Sequence, residues 1–178
     1  MAAEPEDLDA EELLALAKHE LQRGEHERAL VKLKRLASQR KPPAEALAVT
    51  ARAYAQLGLT ERARASFEKY LELNPKAAHE TFELGATYFD QGDDGRALDC
   101  WKRALELHPA HPPALFFSAL AHSRTGNVAE SRRQLDVLLK ATPADNLYVE
   151  RGRDLLKSLD VQAIGSVVPP GANPYRGH

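Results

Sequence analysis

The chain has 178 residues, 43% of them apolar and 28% charged, with a formal net charge of -2. That balance supplies no basic field of the kind nucleic acid requires, so no nucleic-acid partner is expected. A single cysteine excludes an internal disulfide framework. The N-terminus MAAEPEDLDAEELL has neither a basic start nor an apolar core, and no window approaches 18 apolar residues. Neither a secretory signal nor membrane insertion is expected, and a cytoplasmic location follows as the default.

The chain opens on a short acidic arm, residues 1–9. Asp9 with Glu12 three places on forms a capping box. It starts a helix running to about Gln22, with Leu13, Leu16, Ala17 and Leu21 at helical spacing. Gly24 ends it, and a second helix from about His26 to Ser38 buries Ala29, Leu33 and Leu36. After Pro42-Pro43 the scheme returns with Leu47, Ala51 and Tyr54, then Ala63, Phe67 and Tyr70, with Thr60 as the cap between the two helices. It returns again as Leu84, Gly85 and Tyr88, then Ala97, Trp101 and Ala104. A last copy has Leu115, Ala119 and His122, then Ser131, Leu135 and Leu138, with a box-like cap at Asn127 and Glu130.

The repetition has a fixed period. Gly24, Gly58, Gly92 and Gly126 follow one another at intervals of 34, as do Pro75, Pro109 and Pro143. The four units span residues 10–43, 44–77, 78–111 and 112–145, together 10–143 up to the last closing proline. Small residues (Ala17, Ala51, Gly85, Ala119) face large ones (Leu33, Phe67, Trp101, Leu135), which lets crossing helices interlock. Asp145 is expected to cap one more amphipathic helix, 146–159, with Tyr148, Gly152, Leu155 and Leu159 as its apolar stripe. Such a helix would cover the last unit's open face. Residues 160–178 lack a helical period and are expected to be an extended or disordered tail.

These columns resemble the tetratricopeptide repeat family. The third unit carries the pattern most fully, as Leu84 to Tyr88, Gly92, Ala97, Trp101 and Pro109. Leu13, Leu47, Thr81 and Leu115 stand where the family often has tryptophan, and Glu20 and His122 replace its tyrosine. The resemblance implies an all-α, right-handed superhelical solenoid of four repeats with a capping helix. Its first helices would line a concave groove that binds other proteins.

On that reading, helical spacing assigns Lys18, Leu21, Arg52, Gln56, Phe82, Phe89, Phe116, Leu120 and Arg124 to the groove. Such a groove suits an apolar helix or peptide, with an acidic flank for Lys18 and Arg52. A sub-class of the family clamps a C-terminal carboxylate with basic and amide side chains. Here Leu14, Lys18, His79 and Glu83 occupy those places, so the clamp is absent.

The expected function is a non-catalytic protein-binding scaffold without cofactor. A secretion or assembly chaperone shielding an apolar client segment is the alternative. Self-association through the tail or the phenylalanine-rich end is a further option. An enzyme would have to use Cys100, expected to be partly exposed, or the His108/His111 pair. Cys100 lacks an activating base nearby in sequence, and the two histidines lack further metal ligands.

Overall fold

The computed structural model describes residues 8–167, with side-chain surroundings over residues 8–161. All regular structure among them is helical: α1 Ala10–Gln22, α2 His26–Ala37, α3 Ala44–Gln56, α4 Thr60–Leu73, α5 Ala78–Asp90, α6 Asp94–Leu107, α7 Pro112–Arg124, α8 Val128–Ala141 and α9 Leu147–Val167. The odd-numbered helices from α1 to α7 start at Ala10, Ala44, Ala78 and Pro112; their partners start at His26, Thr60, Asp94 and Val128. Both series step by 34, the period of the turn glycines.

The chain divides into two compact units, residues 1–107 and 108–178. In the first, α1 to α6 pack consecutively, each against the next, and α1 also touches α3. In the second, α7 packs on α8, and α9 lies against both.

The glycines punctuate the pairs for a backbone reason. Each adopts a left-handed conformation, φ 75° at Gly24, 70° at Gly58, 79° at Gly92 and 79° at Gly126, which a residue with a Cβ adopts only under strain. The turn then closes in the same way four times. The N–H of Glu25, Leu59, Asp93 and Asn127 donates to the carbonyl of Glu20, Tyr54, Tyr88 and His122, at 2.8, 2.9, 3.0 and 2.8 Å. The glycine N–H also donates back, at Gly24 to Leu21 O over 3.0 Å. This bond pair is the Schellman ending of a helix.

Capping follows the residue available at the turn's last position. Asp9 and Glu12 form the expected reciprocal box on α1. Asp93 Oδ1 accepts from Arg96 N at 3.0 Å, and Asn127 Oδ1 accepts from Glu130 N at 3.3 Å. The box at Asn127 is not reciprocal, because its N–H is already given to His122 and the Glu130 carboxylate bonds Arg133 and Gln134. Thr60 does not cap α4. It is the first helical residue, and its hydroxyl donates to Gly58 O at 3.3 Å, while Leu59 holds the cap position without a side-chain acceptor.

Small-against-large packing holds throughout. Ala17, Ala51 and Ala119 are fully enclosed, as are Leu33, Trp101 and Leu135. Ser131, in the small column of the second helices, donates its hydroxyl to Ala119 O at 2.7 Å, which satisfies it in the core. Gly85 carries the tightest contact: a Cβ there would lie 2.5 Å from Trp101 Nε1 and 2.7 Å from its Cδ1. Gly85→Ala is therefore expected to cost about 1–3 kcal/mol through overpacking. Adding Trp101→Leu should recover most of that loss, because alanine facing leucine is the pairing in the first and last repeats. Thermal melts of the single and double variants check this; a double variant less stable than either single one would count against it.

Four further expectations need correction. Leu16 is more than a third exposed, since Leu14 takes the core position on α1. Asn146, not Asp145, caps α9: its Oδ1 accepts from Tyr148 N at 2.9 Å. The same helix runs past residue 159 to Val167, so the first part of the expected tail is helical. No proline interrupts it before Pro169, and Gly165 inside it costs only about 1 kcal/mol relative to alanine. Val149, 1% exposed, joins Gly152 and Leu159 in the buried stripe of α9, which sequence reading assigned to Tyr148 instead. Residues 1–7 of the acidic arm and 168–178 of the tail lie outside the described residues.

Candidate functional site

Within the first unit, α1 and α3 present matching side chains at one-repeat intervals: Lys18 with Arg52, and Gln22 with Gln56. Together with Leu21 and Val49 they line a surface cavity of about 250 Å³. Its floor is aliphatic, with Val49 only 3% exposed, and its rim carries two cations and two amides. Four of the residues assigned from sequence, Lys18, Leu21, Arg52 and Gln56, thus converge here. Gln22 and Val49 were missed. Gln22 was legible as the counterpart of Gln56 one period earlier. Val49 was not, because periodicity alone placed the packing face on Leu47, which is only half-buried.

The two cations are not free. Lys18 Nζ pairs with Glu45 of the next repeat. Arg52 Nη1 lies 3.4 Å from Glu80 Oε1 and 3.1 Å from Glu83 Oε2, again one repeat on. His79 Nε2 approaches Glu83 Oε1 at 3.5 Å. Burial pushes the Glu83 carboxyl above its ordinary value, and the Arg52 charge only partly opposes that shift.

Phe82 and Phe89 on α5 are both half-buried. Their rings flank Trp101, with centroids 6.3 and 5.5 Å from it. Trp101 Nε1 donates to the Phe82 carbonyl at 3.1 Å. Both phenylalanines therefore complete the packing around the tryptophan while keeping part of their surface outside it.

In the second unit, Phe116 is closed off. It is 9% exposed and packs against Phe117 and Tyr148, centroids 5.4 and 5.7 Å away. The start of α9 thus covers a residue assigned to an open wall. Sequence spacing could not show this, because the covering ring comes from another helix. Leu120 is half-buried and Arg124 exposed at the end of α7.

The residues considered for chemistry have structural placements. Cys100, expected to be partly exposed, is buried, and that burial pushes its thiol up to about 11. Such a group is almost wholly protonated near neutral pH and a poor nucleophile. His111 caps α7, its Nδ1 accepting from Ala114 N at 3.2 Å. His108 meets it edge to face at 5.7 Å between centroids. Among the described residues no group of three or more His, Cys, Asp or Glu side chains is placed to hold a metal ion, and no helix is long and apolar enough to cross a membrane.

Comparison with known proteins agrees with this architecture. The structure resembles that of MamA from Desulfovibrio magneticus RS-1, with a TM-score of 0.71 and 21% identity over 88% of this chain and 93% of that one. It also resembles the first TPR of Spaghetti (RPAP3), solved bound to an HSP90 peptide, SRMEEVD; the TM-score is 0.62 with 17% identity over 68% of this chain and 93% of that one. At these identities the likeness is one of fold. In sequence, 79 residues are 37% identical to the probable biofilm formation methyltransferase WspC of Pseudomonas putida, covering 44% of this chain. The match spans only 19% of that protein's length. The tetratricopeptide repeat profile matches residues 14–78 and 82–146. With that match over most of its length, the chain belongs to the tetratricopeptide repeat family.

Proposed function

We propose that the chain is a non-catalytic protein-binding module that holds a peptide or helix of a partner against the first helices of its repeats. The cavity between α1 and α3 carries this reading. It has an aliphatic floor for one side chain and a rim of amides that can meet a backbone, the usual division of labour in a binding site. The partly exposed Phe82 and Phe89 supply further apolar surface on α5. Burial that raises the Cys100 thiol and the capping role of His111 favour this reading over a catalytic use of either residue.

A displayed random-peptide library selected against the wild type tests the proposal. Enriched peptides should bind Leu21→Glu at least ~10-fold more weakly, a loss of about 1.4 kcal/mol. Leu21 also touches the core of the first repeat, so Gln56→Arg serves as a second variant at an exposed rim position. It should weaken the same peptides without lowering the melting temperature. Unchanged affinity in both variants would remove the proposal.

A further inference from the structure

The rim of the cavity is basic in sequence but not in its electrostatics. Lys18 and Arg52 are each engaged by carboxylates of the following repeat, and Arg52 faces both Glu80 and Glu83. The surplus extends along the repeat register of the first unit. Glu11 and Glu45 occupy equivalent places on α1 and α3, and Asp90 is the α5 counterpart of the rim residues Gln22 and Gln56. The α5 counterpart of Glu11 and Glu45 is His79, so Glu11, Glu45, Glu80, Glu83 and Asp90 stand against Lys18, Arg52 and the His79 imidazole at these positions.

Glu80 and Glu83 have the weakest contact with water of these groups, with side chains 16% and 20% exposed. One guanidinium is shared between two partly desolvated carboxylates, and the other basic group at hand is the His79 imidazole, 3.5 Å from Glu83. Burial is the main cause that raises the Glu83 carboxyl. A ligand cation arriving there regains Coulomb energy. A ligand carboxylate must instead compete for cations already engaged.

Resting on the reading that the cavity holds a partner's peptide, we infer that it selects a segment with an aliphatic side chain and a nearby lysine or arginine. The aliphatic group sits over Leu21 and Val49; the cation reaches Glu80 and Glu83, next to the rim residue Arg52. The position scan in the test finds how far apart along the peptide the two anchors lie. Acidic segments are rejected, the reverse of the flank expected when Lys18 and Arg52 are counted as free charges.

The test uses the full chain and synthetic peptides with blocked ends. A leucine is fixed at the centre, and lysine, alanine or glutamate is placed in turn at each neighbouring position. Binding is read by fluorescence polarisation. Lysine peptides are expected to bind about fivefold more tightly than alanine ones, as suits a half-exposed ion pair, and glutamate peptides more weakly still. In Glu80→Gln/Glu83→Gln the charge preference should vanish while dependence on the central leucine remains. Equal or better binding of glutamate peptides overturns the inference alone, as does a lysine preference that survives the double variant. If no peptide binds, this inference falls together with the binding proposal.

Discussion

Trp101→Ala is expected to remove about 3–5 kcal/mol of stability, the range for truncating a buried aromatic side chain. The indole is wholly enclosed, and three losses coincide there. Its Nε1 hydrogen bond to the Phe82 carbonyl disappears. Phe82 and Phe89 lose the ring they pack on. Gly85 has no side chain with which to collapse into the hole. Because Trp101 is the only tryptophan, unfolding should be followed by far-ultraviolet circular dichroism in urea, not by fluorescence. A midpoint within experimental error of the parent would show that the third repeat is not packed as described. A reduced denaturant slope alongside the shift would mean that neighbouring repeats have begun to unfold separately.

Lys32→Met is expected to be the next most damaging change, at about 3 kcal/mol. Lys32 Nζ lies 2.6 Å from Glu20 Oε1, with side chains 14% and 10% exposed. The other Glu20 oxygen is buried without a hydrogen-bond partner. Removing the lysine leaves a buried carboxylate without its hydrogen-bonded cation, and breaking such a pair from one side costs far more than the intact pair contributes. Glu20 stands where later repeats have Tyr54 and Tyr88, and Lys32 where they have Ser66 and Cys100. Glu20→Tyr/Lys32→Ser, which copies the second repeat, should therefore be more stable than Lys32→Met in the same urea titration. If the double variant is as unstable as the single one, an uncompensated charge is not the cause.

The site was less legible than the fold, and the reason is the range of the interactions involved. Lys18, Leu21, Arg52 and Gln56 were assignable from spacing, because a first helix repeated at a constant interval brings the same face round each time. Phe116 was misassigned for the opposite reason: Tyr148, which covers it, lies on α9, outside the periodic pattern. Cys100 was misjudged because the indole beside it, at Trp101, fixes only one direction on the helix. Its actual surroundings include Gly85, where an added methyl group would come within 3.0 Å of Cys100 Cβ.

Local backbone chemistry and periodicity are properties of neighbours in the chain. The sequence alone therefore determined the helix pairs, their left-handed glycine turns, the facing small and large columns and the family. Charge and exposure depend on what a different repeat brings alongside. Only the tertiary structure decided that Arg52 is shared between Glu80 and Glu83, that Glu20 needs Lys32, and that α9 closes over Phe116. Those pairings join residues 12 to 32 positions apart on separate helices, as for Lys32 and Glu20 at one end of that range and Phe116 and Tyr148 at the other. Helical spacing names the residues on a face, but packing determines which of them are already taken.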